Sequence, residues 1–248
     1  MSLSSSTVIH FTREPDALKG ILEKGFRIKL CRETVVLDTQ PGSFCVPMVS
    51  FCDIPFSKIK DHLDKYGEYG IGLTKAWAVR KGLNPVLYMS KDSSLSKSYK
   101  TAFNHYVYES DHEIEDLPAE TRGLVDIVRY IKNYENDLTR KNKTIPNYRF
   151  SDEREWRYVP DHDAYPYMVV SAEWHDNPAN KALSDKMLAP LVLDFKPADI
   201  QYIIIGKNSE ISDFIDHLRK TMKSRCYVDE IDRLTTCIFT AEQIRADV

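Results

Sequence analysis

Two carboxylates and two guanidiniums fall within five residues at Glu153-Arg154-Glu155-Trp156-Arg157, inside the stretch 150–160 that reads Phe-Ser-Asp-Glu-Arg-Glu-Trp-Arg-Tyr-Val-Pro. As a β-strand, its period of two places Glu153, Glu155, Arg157 and Val159 on one face. Arg154, Trp156 and Tyr158 then fall on the other. Burying unpaired charge is costly, so such a strand is either an ion-paired structural element or the floor of a polar site. For catalysis, a carboxylate fixed on a strand can stabilise a developing positive charge by electrostatic preorganisation. Glu155 is better placed for this than Glu153, being deeper in the stretch and flanked by Arg154 and Trp156. Arg154 or Arg157 could neutralise a pyrophosphate as a bidentate partner.

Two further stretches stand out for their chemistry. Residues 8–12, Val-Ile-His-Phe-Thr, read as a strand with His10 and Thr12 on one face. This strand enters a helix in which Pro15 fits the first turn, Leu18, Ile21 and Leu22 form the apolar stripe, and Gly25 is the stop. Tyr66-Gly-Glu-Tyr-Gly-Ile-Gly-Leu-Thr, residues 66–74, holds three of the nine glycines. In a strand, Gly70 and Gly72 leave one face bare, which suits a close approach by a backbone, a flat ring or a packed neighbour. It is no dinucleotide fingerprint, because Gly-x-Gly-x-x-Gly is absent.

The elements that must hold these groups alternate between types. A β-prone run covers 44–54, Thr74 caps a short helix with Trp77, and 84–89 returns as a strand. A helix is expected over 94–109 and another around Leu124, Ile127, Val128 and Ile131. Residues 111–120 look like an acidic surface linker, and Arg140-Lys141-Asn142-Lys143 like a basic loop. The chain then reads as irregular from about 160 to 182, long enough for a lid or binding loop. Strands are expected at 191–195, 201–206 and 234–239, with an amphipathic helix over 210–222. Without regular β-α-β spacing, this predicts an α+β fold in a single domain over 1–248, with a mixed, mostly antiparallel sheet core and helices packed around it.

With 248 residues, 42% of them apolar and 29% charged, and a net charge of −3, the composition is that of a globular protein without a general nucleic-acid footprint. No apolar run reaches the roughly 20 residues of a membrane helix. The start lacks a basic region followed by an apolar one, so the expectation is a cytoplasmic protein with no membrane partner. Five cysteines without a Cys-x-x-Cys pair argue against a disulfide framework. A zinc site drawn from Cys31, Cys45, Cys52 and His62 matches no standard ligand spacing, so no metal is expected.

Four blocks occur in one order: Val8-Ile-His-Phe-Thr with its Leu-x-x-Ile-Leu-x-x-Gly-Phe helix, Val49-Ser-Phe-Cys-Asp-Ile-Pro, Tyr66-Gly-Glu-Tyr-Gly-Ile-Gly-Leu-Thr-Lys-x-Trp, and Glu153-Arg-Glu-Trp-Arg-Tyr-Val-Pro. Together they resemble the AbiGi-type abortive phage resistance family over nearly the whole chain. That resemblance implies a bacterial phage-defence protein, on the antitoxin side of a pair with a cognate toxin. A looser likeness joins the entry strand and its helix to ADP-ribosyltransferase-like domains, including DarT-type toxins. It implies an NAD cofactor and a nucleic-acid or protein substrate, with Glu155 and His10 as catalytic residues. His10, Thr12, Tyr69 (or Tyr66), Gly70, Gly72, Arg154 and Arg157 would then hold the cofactor. The segment Glu-Arg-Glu-Trp-Arg departs from the recognised transferase motifs. Two functions therefore stand side by side: an NAD-dependent transferase, or a non-catalytic antitoxin or sensor that binds a neighbouring toxin.

Overall fold

The computed structural model describes residues 5–140, 143–223 and 227–247. The chain starts with β1 (Thr7–Thr12), α1 (Pro15–Lys24), β2 (Phe26–Arg27), β3 (Lys29–Leu37), β4 (Gln40–Cys52), α2 (Lys60–Tyr66), β5 (Tyr69–Thr74) and α3 (Lys75–Arg80). It continues through β6 (Asn84–Pro85), β7 (Leu87–Met89), α4 (Ser94–Phe103), α5 (Ala119–Tyr130), β8 (Ile131–Asn133), β9 (Glu135–Arg140), β10 (Lys143–Arg149) and β11 (Glu155–Tyr158). The last third holds β12 (Val170–Ser171), α6 (Ala172–Asp176), α7 (Pro178–Leu188), β13 (Val192–Leu193), β14 (Ile200–Ile205), α8 (Ile211–Met222), α9 (Val228–Thr235), β15 (Ile238–Thr240) and α10 (Ala241–Asp247). The fold is α+β. Among the described pairings only β14–β15 and β7–β8 are parallel.

The residues group into two compact units, Met1–Arg27 with Ser50–Leu83 and Val192–Val248, and Ile28–Val49 with Asn84–Leu191. In the first, the strand order is β15-β14-β5-β1, followed by the end of β4. The antiparallel register pairs His10 with Ile71, Phe11 with Gly70 and Thr12 with Tyr69. Ile9 and Ile204 face Ile59 and Leu63 of the α2 region and Ile244 of α10 in one buried cluster. On the opposite face, Tyr69 stacks on Phe214 of α8. Local signals explain the helices. Pro15 opens α1 and Gly25, at φ 84°, closes it, while the Thr74 hydroxyl accepts the Trp77 N–H at the start of α3.

In the second unit β4 lies against β3, β12 and β11, and β11 pairs onward with β6. Val35, Met89, Tyr99, Val128 and Ile131 form its principal apolar cluster. The β3–β4 hairpin escapes a sequence reading because Asp38-Thr39 makes its turn, with φ of 48° and 62°. Both central residues need positive φ, which Asn-Gly or Asp-Gly would have announced. The hairpin β9–β10 closes at the basic run, where Lys141 and Asn142 lie outside the described residues.

Several expectations are corrected. The α4 helix ends at Phe103 and continues as a π-helical turn, Asn104–Tyr108. The acidic segment 111–120 contains a 3-10 turn at Ile114–Asp116 and the first residues of α5. The stretch 160–182 turns helical from Ala172, each helix capped by a side chain, Ser171 for α6 and Asn177 for α7. Most of 234–239 belongs to α9 and the turn after it, with the strand starting at Ile238.

Candidate functional site

The expected charged strand is shorter than its sequence suggests, and its carboxylates meet by a different route. Phe150–Glu153 forms a 3-10 turn, and Arg154 takes a left-handed conformation at φ 48° before β11 starts. The bend breaks the alternation that would have aligned Glu153 with Glu155. Both carboxylates nonetheless converge on one cation from elsewhere: Lys132 Nζ, on β8, donates to Glu153 Oε2 at 2.9 Å and to Glu155 Oε2 at 2.5 Å. Arg157 Nε donates to Glu155 Oε1 at 2.7 Å, its Nη1 to the Arg129 carbonyl at 2.9 Å, and its Nη2 lies 3.2 Å from Glu33 Oε1. Tyr148 donates its hydroxyl to Glu153 Oε1, and the Tyr88 hydroxyl accepts the Glu155 N–H.

Arg157 is 0% exposed and Glu155 5%, while Lys132 and Glu33 at the margin of the group are half-buried. Burial alone would raise the Glu155 pKa. The charges of Arg157 and then Lys132 outweigh it and hold the carboxyl well below the ordinary range. Burial works against the charge of Lys132 too, but Glu155, Glu153 and Glu33 together hold its pKa above the usual lysine value. Three carboxylates, Glu33, Glu153 and Glu155, thus share two cations. The stretch is an ion-paired strand, as one of its two sequence readings expects. Lys132 and Glu33 were missed from sequence because a single charge in a short strand has no signature until its partner arrives. Arg154 is half-buried beside this group, while Trp156 and Tyr158 take the other face of β11.

The remaining candidates belong to the first unit. His10 sits edge-on to Phe26, with ring centroids 5.2 Å apart, and 5.6 Å from Phe51. Its Nδ1 lies 2.8 Å from the Ser50 carbonyl, which can only accept, so Nδ1 carries the proton and Nε2 is the acceptor. Burial lowers the His10 pKa, and the carbonyl bond only partly offsets this. Tyr69 donates to Glu210 Oε1 at 2.8 Å, and burial together with that carboxylate pushes its phenol up to about 12.

The strand register puts His10, the half-buried Thr12 and Tyr69 on one face of the sheet and opens Gly70 and Gly72 on the opposite face. The bare face is filled: a Cβ at Gly72 would stand 2.6 Å from the Tyr202 ring, and one at Gly70 would stand 3.2 Å from Phe11. Among the described residues no three His, Cys, Asp or Glu side chains are grouped to hold a metal ion. No helix among them is long and apolar enough to cross a membrane.

Residues 25–206 match the family model described as "Putative abortive phage resistance protein AbiGi, antitoxin". The chain is also 25% identical over 222 residues to "Abortive phage resistance protein AbiGi" of Lactococcus lactis subsp. cremoris, an alignment covering 82% of this chain and 88% of that relative. No solved structure matches.

Proposed function

This chain belongs to the AbiGi family of abortive phage resistance proteins, and we propose that within that defence it is a non-catalytic antitoxin that binds and neutralises a partner toxin. The observation that carries this reading is the state of Glu155. Each of its oxygens is engaged, one by Arg157 and one by Lys132. A buried carboxylate held on both oxygens by cations of the protein serves the fold. The description of the matching family model as an antitoxin supports the same role.

The test is co-expression with the product of the neighbouring gene. The antitoxin reading expects that product to arrest growth alone, this chain to restore growth, and the two to co-purify as a stable complex. The same experiment weighs the NAD-dependent transferase. If this chain by itself arrests growth and consumes NAD, and Glu155→Gln removes both effects with the fold retained, the transferase stands and the antitoxin reading is lost.

A further inference from the structure

The second unit carries an incomplete strand ladder beside an apolar cleft. β4 pairs with β3 along its whole first half, down to Leu37 opposite Gln40. On its other edge β12 covers only Cys45 and Phe44, because the chain turns into α6 at Ala172. Beyond that point residues 40–43 are exposed and without a described neighbour on that side.

The direction of their backbone groups follows from Asn133. Its side chain accepts the Val36 N–H at 2.8 Å and donates to the Val36 carbonyl at 2.8 Å, so Val36 turns both groups away from β4. Val36 therefore forms a non-hydrogen-bonded pair with its partner Pro41, and pair types alternate along an antiparallel ladder. Pro41 and, two residues on, Ser43 then turn their backbone groups to the open edge. That edge presents the Pro41 carbonyl and the Ser43 N–H, its sole donor, while the Ser43 carbonyl faces the start of α6 next to Ser171.

The cleft of about 620 Å³ along this edge is walled by Val35, Phe44, Phe103, Val107 and Val169. Gly42 leaves its floor open, since a Cβ there would meet only the Val35 carbonyl oxygen, at 3.8 Å. The π-helical turn brings Tyr108, 80% exposed, to the rim. Lys100 in the wall is half-buried, and its ammonium has no ion-pair or hydrogen-bond partner among the described residues. A cation held against apolar surface without a partner is complementary to an incoming carboxylate.

We propose that an extended segment of the partner toxin docks here by adding a short strand to the open edge of β4, in the line that β12 vacates. Its ladder bonds go to Ser43 and Pro41, apolar side chains at alternate positions enter the cleft, and an acidic side chain meets Lys100. This surface rests on the antitoxin reading and gives that reading its contact.

The experiment uses the whole chain and the co-purified toxin, with Kd measured by calorimetry and amide exchange followed in the free and bound states. Ser43→Pro deletes the outward donor without removing a bond to β3, since Thr34–Ser43 is a non-hydrogen-bonded pair. It is expected to weaken binding about 10- to 100-fold, and Lys100→Glu about 5- to 20-fold, with the melting transition of the free chain retained in both. The toxin is expected to slow exchange of the Ser43 amide in the parent chain. A complex that forms with unchanged Kd in both variants overturns the docking site and leaves the antitoxin reading intact, while failure to form any complex removes both. A second copy of this chain as occupant would show as a self-association lost in Ser43→Pro, and it too would overturn the proposal.

Discussion

Two regions of this chain hold polar side chains on sheet strands by opposite means. His10 is set among Phe26, Phe51 and the nearby Trp77, with one backbone carbonyl as its polar contact. Glu155 and Arg157 are set among other charges, Glu155 shared between Arg157 and Lys132 and Arg157 shared between Glu155 and Glu33. A surround that removes water without supplying a counter-charge disfavours the charged form, so it selects the neutral imidazole. The ionic surround selects the charged forms and raises the cost of removing any one of them. Polar residues alternating on a strand therefore do not by themselves mark a site. Their neighbours decide whether the group is available for chemistry.

The comparison breaks most sharply at Arg157. Arg157→Met should destabilise the chain by about 3–5 kcal/mol in urea unfolding, because Glu155 and Glu33 lose a buried counter-charge. Combining it with Glu155→Gln should return part of that loss, and strict additivity in the cycle would show that the two side chains are uncoupled.

Next in size is the acid limb of the stability curve. Glu155 is held below its unfolded value, so its contribution is complete above the ordinary carboxylate range and is lost as pH falls through and below it. Denaturation midpoints between neutral and acid pH should fall more steeply in the parent chain than in Glu155→Gln.

His10→Phe should cost only about 1 kcal/mol, the loss of one bond to the Ser50 carbonyl within a surround that already accepts a ring. A loss several times larger would mean that the imidazole serves more than packing.

The smallest effect is the pH dependence of His10 itself. Its folded pKa lies below the ordinary 6.5, so the unfolded chain binds the proton more readily, and stability declines as pH drops below that value. The decline should be absent in His10→Phe.

Much of the first unit was legible in order of sequence. The strand of His10, the capped helix from Pro15 to Gly25, the glycine strand and the run Gln201-Tyr-Ile-Ile-Ile-Gly all announce themselves through period, caps and breakers. The hairpin β3–β4 did not, because its turn uses Asp-Thr. The kink before β11 did not either, because a left-handed Arg154 has no sequence cue. At the candidate site the sequence marked Glu155, Arg157 and Glu153 as needing partners and left open whether those partners would be a ligand or the protein.

By itself, then, the sequence determined the α+β class, the family and the charge density at 153–157, since these depend on local pattern and on residue order. The tertiary structure alone supplied Lys132 and Glu33 to that stretch and, through the β1–β5 register, set His10 on the face opposite Gly70 and Gly72. It also left Ser43 and Pro41 facing an open edge. Counter-charges, sheet faces and unpaired edges are set by strand register, and register joins residues far apart in the chain whose spacing carries no trace of the contact.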